Sequence, residues 1–434
     1  MNAIPIYTVS LGCPKNRVDT ERMLGSLGTR WREVDRTDQA RVVLVNTCGF
    51  IAPAVEESVS MILELAAEIA EFSPRPLLAV TGCLVARYGQ ELVRELRDEV
   101  DLFLTIEEQG RWPELLGAAL HETLPAASTR AVSTPPGYAY LKISEGCDNA
   151  CRFCTIPSIR GRQRSWTPEF LEQEAATLIR GGVRELVVVG QDVTAYGRDL
   201  GLNHGLRTLV DRIAPLPGLD WLRLMYLYPA GLTRETLSFL ASVGDPLLPY
   251  FDIPLQHAHP EILKTMGRPF ANDPRRVVDR VRDYFPDAHM RTTFIVGYPG
   301  ETETHFRALL DFVREVRFTH LGVFPYYAED GTRAAAMDGQ VPEEVKLERR
   351  DQVMELQAEI SEELLAGYWG EEVDVLVDTP HEEWPTLFVG RTRFQAPEVD
   401  GVTYVSGERI RPGDLVRARV EETETYDLIT LAEG

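Results

Sequence analysis

The feature that most constrains this chain is the even spacing of Cys13, Cys48 and Cys83, which follow one another at intervals of 35 residues. Each cysteine comes soon after an apolar, β-branched segment, at residues 4–10, 42–46 and 77–81, and an amphipathic helical segment follows each strand candidate. Strands connected in this way run parallel with right-handed crossovers, and their carboxyl ends meet at one edge of the sheet. The sequence therefore predicts an α/β domain with a parallel sheet, in which three distant thiols meet at one site.

The expected helix starts bear on the chemistry of these thiols. Helix N-termini are expected just after all three cysteines, with Asn16 or Asp19 as the cap of the first helix. The positive end of a helix dipole favours a thiolate and an anionic metal cluster. Three buried structural cysteines are the alternative that the spacing alone leaves open.

A second group of three cysteines, Cys147, Cys151 and Cys154, lies within eight residues. A structural zinc site takes four protein ligands and closes, whereas an iron-sulfur cluster bound by three thiolates leaves one iron open. After this compact triplet the next histidine along the chain is His204, so no fourth ligand is near in sequence. Six cysteines in a chain of 434 residues are also too sparse for a disulfide framework. Two open metal centres predict an enzyme.

The middle of the chain repeats the alternation of strands and helices. Residues 128–137, with Ser, Thr and a Pro-Pro pair, are typical of a linker. A helical pattern at 168–180 ends at Gly181-Gly182, and a long charged helix is expected at about 342–365. Six βα units indicate a full or partial parallel barrel, with its active site at the carboxyl ends of the strands. The strand candidates are residues 138–143, 185–189, 221–226, 250–253, 291–296 and 320–324.

The tail from Trp369 onward changes character. Short alternating strands, such as residues 373–377 and 415–420, are separated by turn signals, and they predict a small antiparallel β-barrel. The tail has 15 acidic residues and 6 arginines, a formal charge of −9. We therefore predict three domains, at residues 1–127, 138–366 and 369–434.

Composition and charge restrict the setting and the partners. No apolar run is long enough for a membrane helix, and residues 1–11 lack the basic region of a secretory signal, so a cytoplasmic location is expected. The net charge of −22 opposes non-specific attraction to nucleic acid and favours a basic partner. RNA binding by a local basic patch is left open.

The residues around the compact triplet carry a resemblance to a known family. The pattern Cys-x3-Cys-x-Phe-Cys at 147–154 resembles that of the radical S-adenosylmethionine enzymes, and Ile156-Pro157, Arg160-Gly161 and Arg164-Ser165 after it are similar to the methylthiotransferase family among them. The resemblance covers nearly the whole chain. It implies a 4Fe-4S cluster and S-adenosyl-L-methionine at Cys147, Cys151 and Cys154. It also implies a second 4Fe-4S cluster at Cys13, Cys48 and Cys83 that holds the sulfur to be inserted, and a tail that is a TRAM domain.

Two segments bear on the substrate. Residues 11–16, Leu-Gly-Cys-Pro-Lys-Asn, and 46–51, Asn-Thr-Cys-Gly-Phe-Ile, resemble the family members that methylthiolate an aspartate of ribosomal protein S twelve. Members that modify tRNA usually have Gln-Met after the first cysteine. The acidic tail also fits a basic ribosomal protein better than RNA. A tRNA adenosine is the alternative substrate, and a non-catalytic adaptor that binds two zinc ions is the alternative from another class.

The same resemblance implies the reaction. A 5'-deoxyadenosyl radical would abstract hydrogen from the β-carbon of the aspartate, sulfur would be inserted there, and a second S-adenosylmethionine would supply the methyl group, giving 3-methylthioaspartate. The scheme requires no side-chain acid or base, so no further catalytic residue is assigned. The sequence identifies neither the electron donor nor the sulfur donor.

Weaker motifs stand at the expected strand ends. Gly190-Gln191-Asp192 and the segment 297–301 could approach the cofactor, although ordinary turn chemistry explains them about as well. His257 and His259 are expected to be loop or supporting groups rather than direct catalysts. Trp166 stands where the family usually has an arginine, so any role of that arginine is in doubt here.

Overall fold

The computed structural model describes residues 3–270 and 272–433, and they fall into two compact units. The first unit holds the described residues up to Ser133 together with Gly146–Asp148 and Thr155–Arg162. The second holds Thr134–Glu145, Asn149–Cys154 and the described residues from Gln163 onward. None of the helices in the described part combines the length and the apolarity needed to cross a bilayer.

The first unit is built on a five-stranded parallel sheet in the order β2-β1-β3-β4-β5. Its strands are β1 (Ile4–Ser10), β2 (Trp31–Glu33), β3 (Val42–Thr47), β4 (Leu77–Gly82) and β5 (Leu102–Leu104). Its helices are α1 (Pro14–Ser26), α2 (Ala52–Ala70), α3 (Cys83–Glu95), α4 (Trp112–Leu120) and α5 (Ile156–Ile159). The parallel sheet and its three cysteine-bearing βα units are confirmed. The strands β2 and β5 escaped prediction because three residues are too few to show a period.

Strand β3 explains why helices cover both faces of this sheet. All six of its residues are buried. Val43 and Val45 pack in one core with residues of α2 and α3, whereas Val42 and Leu44 pack in another core with residues of α1 and α4. A strand that is apolar on both sides is typical of a doubly covered parallel sheet. The sheet is thereby fixed firmly enough to position the loops at its edge.

The second unit begins with six parallel strands in two groups, ordered β10-β9-β6 and β11-β12-β13. They are β6 (Tyr138–Lys142), β9 (Glu185–Val189), β10 (Trp221–Leu224), β11 (Tyr250–Asp252), β12 (His289–Val296) and β13 (His320–Pro325). A short antiparallel pair, β7 (Ser144–Glu145) and β8 (Arg164–Ser165), lies beside them. Leu222 in β10 forms an isolated parallel bridge with Leu247, which comes just before β11 in the chain. Among the described residues β6 and β13 do not pair, so the barrel is partial. A partial barrel was one of the two forms that the sequence predicted.

Helices cover the outside of these strands. They are α6 (Pro168–Arg180), α7 (Gly205–Ile213), α8 (Arg234–Val243), α9 (Pro260–Thr265), α10 (Arg275–Tyr284), α11 (Glu303–Val316) and α12 (Glu343–Ala366). The side chain of Thr167 caps α6 by accepting from the N–H of Phe170, and Gly181 follows its last turn. These local signals explain why the range 168–180 predicted from the sequence agrees with both ends of α6.

The tail forms a closed five-stranded barrel in the order β14-β15-β16-β18-β17. The strands are β14 (Glu372–Pro380), β15 (Leu387–Thr392), β16 (Thr403–Ser406), β17 (Leu415–Thr423) and β18 (Leu428–Ala432). Four of the five pairings are antiparallel, as predicted, but β16 and β18 pair in parallel. A closed ring with an odd number of strands cannot alternate direction throughout, so one parallel pair is unavoidable.

A buried ionic network joins the closed barrel to the first strands of the partial barrel. Glu185, at the start of β9, accepts from Arg223 of β10 at 2.7 Å and from Arg391 of β15 at 2.6 Å. Arg391 also contacts Asp378 of β14 at 2.7 Å, and its guanidinium lies over the ring of Tyr138. Burial alone would raise the pKa of Glu185, but the two arginines hold it below its ordinary value.

Replacing Arg391 with methionine should therefore lower the free energy of unfolding by about 3–5 kcal/mol, because the buried Asp378 loses its counter-charge and the buried Glu185 loses one of its two arginine partners. Urea denaturation followed by far-UV circular dichroism will measure the change. The matched control is Arg417→Met, since Arg417 pairs with Glu372 and Asp374 at the surface with half of its side chain exposed. That control should change stability by about 1 kcal/mol or less. Equal effects of the two changes would contradict a special role for the buried network.

Candidate active site

The upstream triplet, Cys13, Cys48 and Cys83, lies at the carboxyl ends of β1, β3 and β4. Cys13 is itself the N-cap residue of α1, Cys48 follows β3, and Cys83 is the first residue of α3. The expectation that Asn16 or Asp19 caps the first helix is wrong. Both residues lie inside α1, because the helix already begins at Pro14, whose fixed φ suits a first helical position.

Asn16 connects the three cysteine loops. Its Nδ2 donates to the carbonyl of Leu11 at 2.9 Å and to that of Thr47 at 3.0 Å, the residues just before Gly12 and Cys48. Its Oδ1 lies 3.8 Å from Sγ of Cys83. One buried amide therefore contacts all three loops, although they are far apart in sequence. The three cysteine loops therefore meet at one edge of the sheet, as the sequence predicted.

Glycines allow these loops to approach closely. A Cβ at Gly12 would lie 2.8 Å from Cβ of Cys48, and Gly12 has a φ of +90°, which disfavours other residues. A Cβ at Gly49 would lie 2.8 Å from the carbonyl carbon of Cys83. The backbone at Gly12 thus packs against the side chain of Cys48, and the backbone at Gly49 packs against the backbone of Cys83.

The electrostatic environments of two of these thiols differ. Burial would raise the pKa of Cys13, but Lys15, Arg160 and backbone N–H groups hold it below its ordinary value. Burial raises the pKa of Cys48 to about 11, and the neighbouring Cys83 and Cys13 add to the increase. A metal centre needs all its sulfur ligands as thiolates, so binding at this site must release protons. The N-terminal helix ends at Cys13 and Cys83 favour that ionised form.

The upstream triplet fits an iron-sulfur cluster with an open iron. Its donor set is three thiols, which are held by glycine-containing loops and have cationic side chains as neighbours. Clusters are held by cysteine thiolates and carry negative charge, which buried cations stabilise. The chemistry of the residues present is therefore compatible with the group that the sequence resemblance implied.

The compact triplet begins with Cys147 in the first unit. The N–H of Cys147 donates to the carbonyl of Gly161 at 3.1 Å. Gly146 before it has a φ of +72°, and a Cβ there would lie 2.6 Å from that same carbonyl oxygen. Only a glycine allows this close approach, so residue 146 fixes the backbone from which the Cys147 side chain projects.

Cys151 and Cys154 belong to the second unit. The N–H of Cys154 donates to the carbonyl of Cys151 at 3.3 Å, which makes a tight turn. Arg268 donates to Sγ of Cys151 at 3.2 Å, and its guanidinium lies over the rings of Tyr228 and Phe270. Burial raises the pKa of Tyr228, Arg268 opposes the increase, and the hydrogen-bonded Cys151 adds to it. No local pattern pointed to Arg268, because it lies 117 residues along the chain from the cysteine that it contacts.

The motif Gly190-Gln191-Asp192 supports the cysteine loop from the end of β9. Asp192 accepts from Nδ2 of Asn149 at 2.8 Å, and Asn149 lies between Cys147 and Cys151 in sequence. Gln191 donates to Glu145 at 3.2 Å, and Glu145 pairs with Lys142 of β6. The motif therefore positions residues of the loop, a role that its sequence left undecided between cofactor contact and turn chemistry.

The segment 297–301 and His257 form a second support. Glu301 accepts from the N–H of Gly297 at 2.8 Å and pairs with Arg349 at 2.9 Å. His257 is fully buried, its Nδ1 accepts from the N–H of His259 at 2.9 Å, and its Nε2 lies 3.7 Å from Glu301. These contacts are those of a loop-fixing residue. They agree with the expectation for His257 and favour turn chemistry for the segment 297–301.

His259, Glu261 and His305 lie close enough together to suggest a metal site by composition. The hydrogen bonds argue otherwise. Nδ1 of His259 accepts from the N–H of Glu261 at 3.3 Å, and Nδ1 of His305 accepts from the N–H of Thr302 at 3.2 Å. A neutral imidazole whose Nδ1 accepts carries its proton on Nε2, which then has no lone pair for a metal. His259 acts as the N-cap of α9, which is again a loop role.

Trp166 packs against the core of the partial barrel, with Nζ of Lys142 at 5.6 Å from its ring centroid. Its carbonyl accepts from the hydroxyl of Tyr196 at 2.7 Å. An arginine at this position would place a second cation beside Lys142, whereas the indole ring attracts that ammonium group. Trp166 is thus part of the packing around the Lys142–Glu145 pair.

Three family models match the chain. The radical SAM superfamily model matches residues 141–313, the model of the uncharacterized protein family UPF0004 matches residues 5–105, and a TRAM domain model matches residues 370–432. The UPF0004 match contains the upstream triplet, the radical SAM match contains the compact triplet, and the TRAM match covers the small barrel of the tail.

Similar proteins are found over the full length. The chain is 60% identical over 430 residues to "Ribosomal protein uS12 methylthiotransferase RimO" of Nitratidesulfovibrio vulgaris, covering 99% of this chain and 100% of that protein. It is 59% identical, with the same coverage, to the protein of the same name from Oleidesulfovibrio alaskensis. Among solved structures, the radical S-adenosylmethionine methyltransferase TsrM from Kitasatospora setae, with cobalamin and a 4Fe-4S cluster bound, superposes with a TM-score of 0.54 at 15% identity over 77% of each chain. That likeness concerns the fold alone.

Proposed function

This chain belongs to the RimO family of radical S-adenosylmethionine methylthiotransferases, and on that premise we propose that it methylthiolates an aspartate of ribosomal protein uS12, the protein S twelve of the small subunit. The product would be 3-methylthioaspartate. The observation that carries the proposal is that Asn16 joins three separate cysteine loops at one edge of the sheet. The chain thereby has a second thiol site besides its radical-forming one, as an enzyme that inserts sulfur requires.

We assign the metal ligands by triplet. Cys147, Cys151 and Cys154 would hold the 4Fe-4S cluster that binds S-adenosyl-L-methionine, and Cys13, Cys48 and Cys83 would hold a second 4Fe-4S cluster. When bound, these groups supply a 5'-deoxyadenosyl radical and the sulfur that is inserted. The domain limits that go with this assignment are 1–127, 138–366 and 369–434.

The protein's own residues position and shield these groups. Asp192 and Asn149 hold the cysteine loop against the end of β9. Arg268 donates from one terminal nitrogen to Cys151 and from the other to the carbonyl of Pro254 at 2.5 Å. The two hydrogen bonds together fix the orientation of its guanidinium. Fixed donors around a thiolate cost little reorganisation during the reaction. No side chain is assigned as an acid or base.

The charge of the tail supports a basic protein as substrate. Asp378 and the side chain of Asp400 are buried in ionic pairs with Arg391 and Arg291. Over residues 369–433, which the structure describes, the tail still exposes eleven acidic residues and five arginines, and this surface has a net charge of −6. Such a surface attracts a basic ribosomal protein and repels the phosphates of tRNA. With a ribosomal substrate, the location that we propose for the enzyme is the cytoplasm.

The proposal is tested by offering both substrates to the anaerobically reconstituted enzyme. Purified uS12 and unmodified tRNA are incubated separately with S-adenosylmethionine and a reductant, and each is digested and analysed by mass spectrometry. We expect a methylthio increment on one aspartate-containing peptide of uS12 and no modified adenosine. A methylthio increment on tRNA with none on uS12 would overturn the assignment. A colourless preparation that contains zinc and no iron would instead indicate the non-catalytic adaptor.

A further inference from the structure

Arg160 is a buried arginine whose guanidinium contacts the upstream triplet at Cys83. Its Nε donates to Sγ of Cys83 at 3.2 Å, and its side chain is almost fully buried. It follows Cys154 by six residues in sequence, and it belongs to the first unit through the segment Thr155–Arg162. The chain that leaves the compact triplet therefore supplies a cation to the other triplet.

Two residues of α1 fix the orientation of this guanidinium. One terminal nitrogen donates to Oδ1 of Asn16, and the other lies 3.3 Å from Oδ2 of Asp19. Asn16 is the residue that joins the three cysteine loops, so Arg160 is held by the same framework that holds the thiols. Because the guanidinium fork is planar and rigid, anchoring two of its nitrogens aims the third at the sulfur.

The chemical consequence of this geometry depends on what the sulfur carries. A buried guanidinium that donates to a thiolate makes a charge-assisted hydrogen bond, which is about twice as strong as a neutral one. In iron-sulfur clusters, hydrogen bonds to the sulfurs and nearby charge set the reduction potential. A cation favours the more negative, reduced form, whereas the carboxylate of Asp19 opposes it. Arg160 and Asp19 should therefore act on the potential with opposite signs.

We propose that Arg160 is a positioning residue of the upstream triplet, which holds the Cys83 thiolate in place and raises the reduction potential of the cluster bound there. The inference rests on the proposed function, since it requires a cluster at Cys13, Cys48 and Cys83. If a carbon radical were to bond to sulfide held at this site, the radical would supply one electron of the new C–S bond and a sulfide lone pair the other. The second electron of that lone pair would then have to be accepted by the irons that Cys13, Cys48 and Cys83 would hold. A raised potential favours this one-electron reduction of the sulfur donor.

The test uses the full-length chain with Cys147, Cys151 and Cys154 replaced by alanine, so that any cluster present is the upstream one. Iron and sulfide analysis first establishes that the cluster is there, and a redox titration followed by electron paramagnetic resonance then gives its midpoint potential. Adding Arg160→Gln should shift the reduction equilibrium about tenfold toward the oxidised form, which is about 59 mV more negative for a one-electron couple. Adding Asp19→Asn instead should shift the potential in the positive direction.

Matched variants separate a specific effect from general damage. Arg130→Gln removes another buried arginine of the first unit, one that pairs with Glu21 of α1 at 2.5 Å, and it should leave the potential unchanged. Arg160→Lys keeps the charge but not the fork and should recover part of the shift. If Arg160→Gln loses iron while its circular dichroism matches that of the parent, and lysine restores the iron, the positioning role is supported. Should Arg160→Gln fail to fold, the positive shift in Asp19→Asn decides the matter.

Two results would overturn the inferences separately. If the parent without the compact triplet contains no iron, the proposed function fails, because there is no upstream cluster. If the cluster is present and neither Arg160→Gln nor Asp19→Asn moves its potential, the proposed function stands and the role of Arg160 is refuted.

Discussion

Replacing Cys147 with alanine will abolish the formation of 5'-deoxyadenosine from S-adenosylmethionine. The compact triplet has three sulfur ligands, and losing one leaves two, which cannot hold a cluster with one open iron in place. Even residues that only orient metal ligands change affinity or activity by about 10–100-fold, so we expect a loss of more than about 100-fold. Anaerobic incubation with dithionite, followed by chromatography of the nucleoside products, measures it.

The fold should survive this change. The backbone N–H of Cys147 makes the hydrogen bond to Gly161, and alanine retains that group. The variant should therefore unfold at the same urea concentration as the parent and keep the iron of the upstream triplet. Undiminished production of 5'-deoxyadenosine would refute the assignment of Cys147, Cys151 and Cys154 as the radical-forming site.

The complementary change, Cys83→Ala, should separate the two steps of the reaction. We expect S-adenosylmethionine cleavage to continue at a rate close to that of the parent, while methylthiolated uS12 falls by more than about 100-fold, because the proposed sulfur-donating site would lose one of its three ligands. Product analysis by mass spectrometry and quantification of 5'-deoxyadenosine in the same samples give both values.

Cys83→Ala should leave the fold intact, so a loss of product can be attributed to the missing thiol. Cys83 is the first residue of α3 and is buried, and alanine is the best helix former. The Cys147→Ala variant is its matched control, since each variant should keep what the other loses. If Cys83→Ala still produced methylthiolated uS12 at the rate of the parent, the upstream triplet would not be the sulfur-donating site.

Local periodicity located most of the secondary structure. The strands 4–10 and 185–189 and the helix 168–180 were predicted to the residue, because each is a continuous pattern that ends at a turn or a cap. The error at Asn16 and Asp19 has the opposite cause. Both residue types are good helix caps, yet their side chains are used for tertiary contacts, Asn16 with three loops and Asp19 with Arg160.

The charge of the tail likewise could be counted from the sequence, but its distribution between surface and interior could not. The sequence contains a formal charge of −9 from Trp369 onward, but it does not say which of those groups face solvent. Asp378, Asp400 and Arg391 are taken up in buried pairs with each other or with the partial barrel. These buried groups affect stability, whereas the exposed charged residues of the tail determine the electrostatic surface that a partner meets.

The sequence by itself determined the two cysteine triplets, the parallel sheet that brings the upstream one together, and the run of six βα units in which the other follows the first strand. These follow from spacing and from hydrophobic period, which are properties of neighbouring residues. Only the tertiary structure decided which cations contact the sulfurs, since Arg160 lies 77 residues from Cys83 and Arg268 lies 117 residues from Cys151. Such contacts depend on how loops pack in three dimensions, and no local pattern encodes them, because a buried arginine and a surface arginine look alike in sequence.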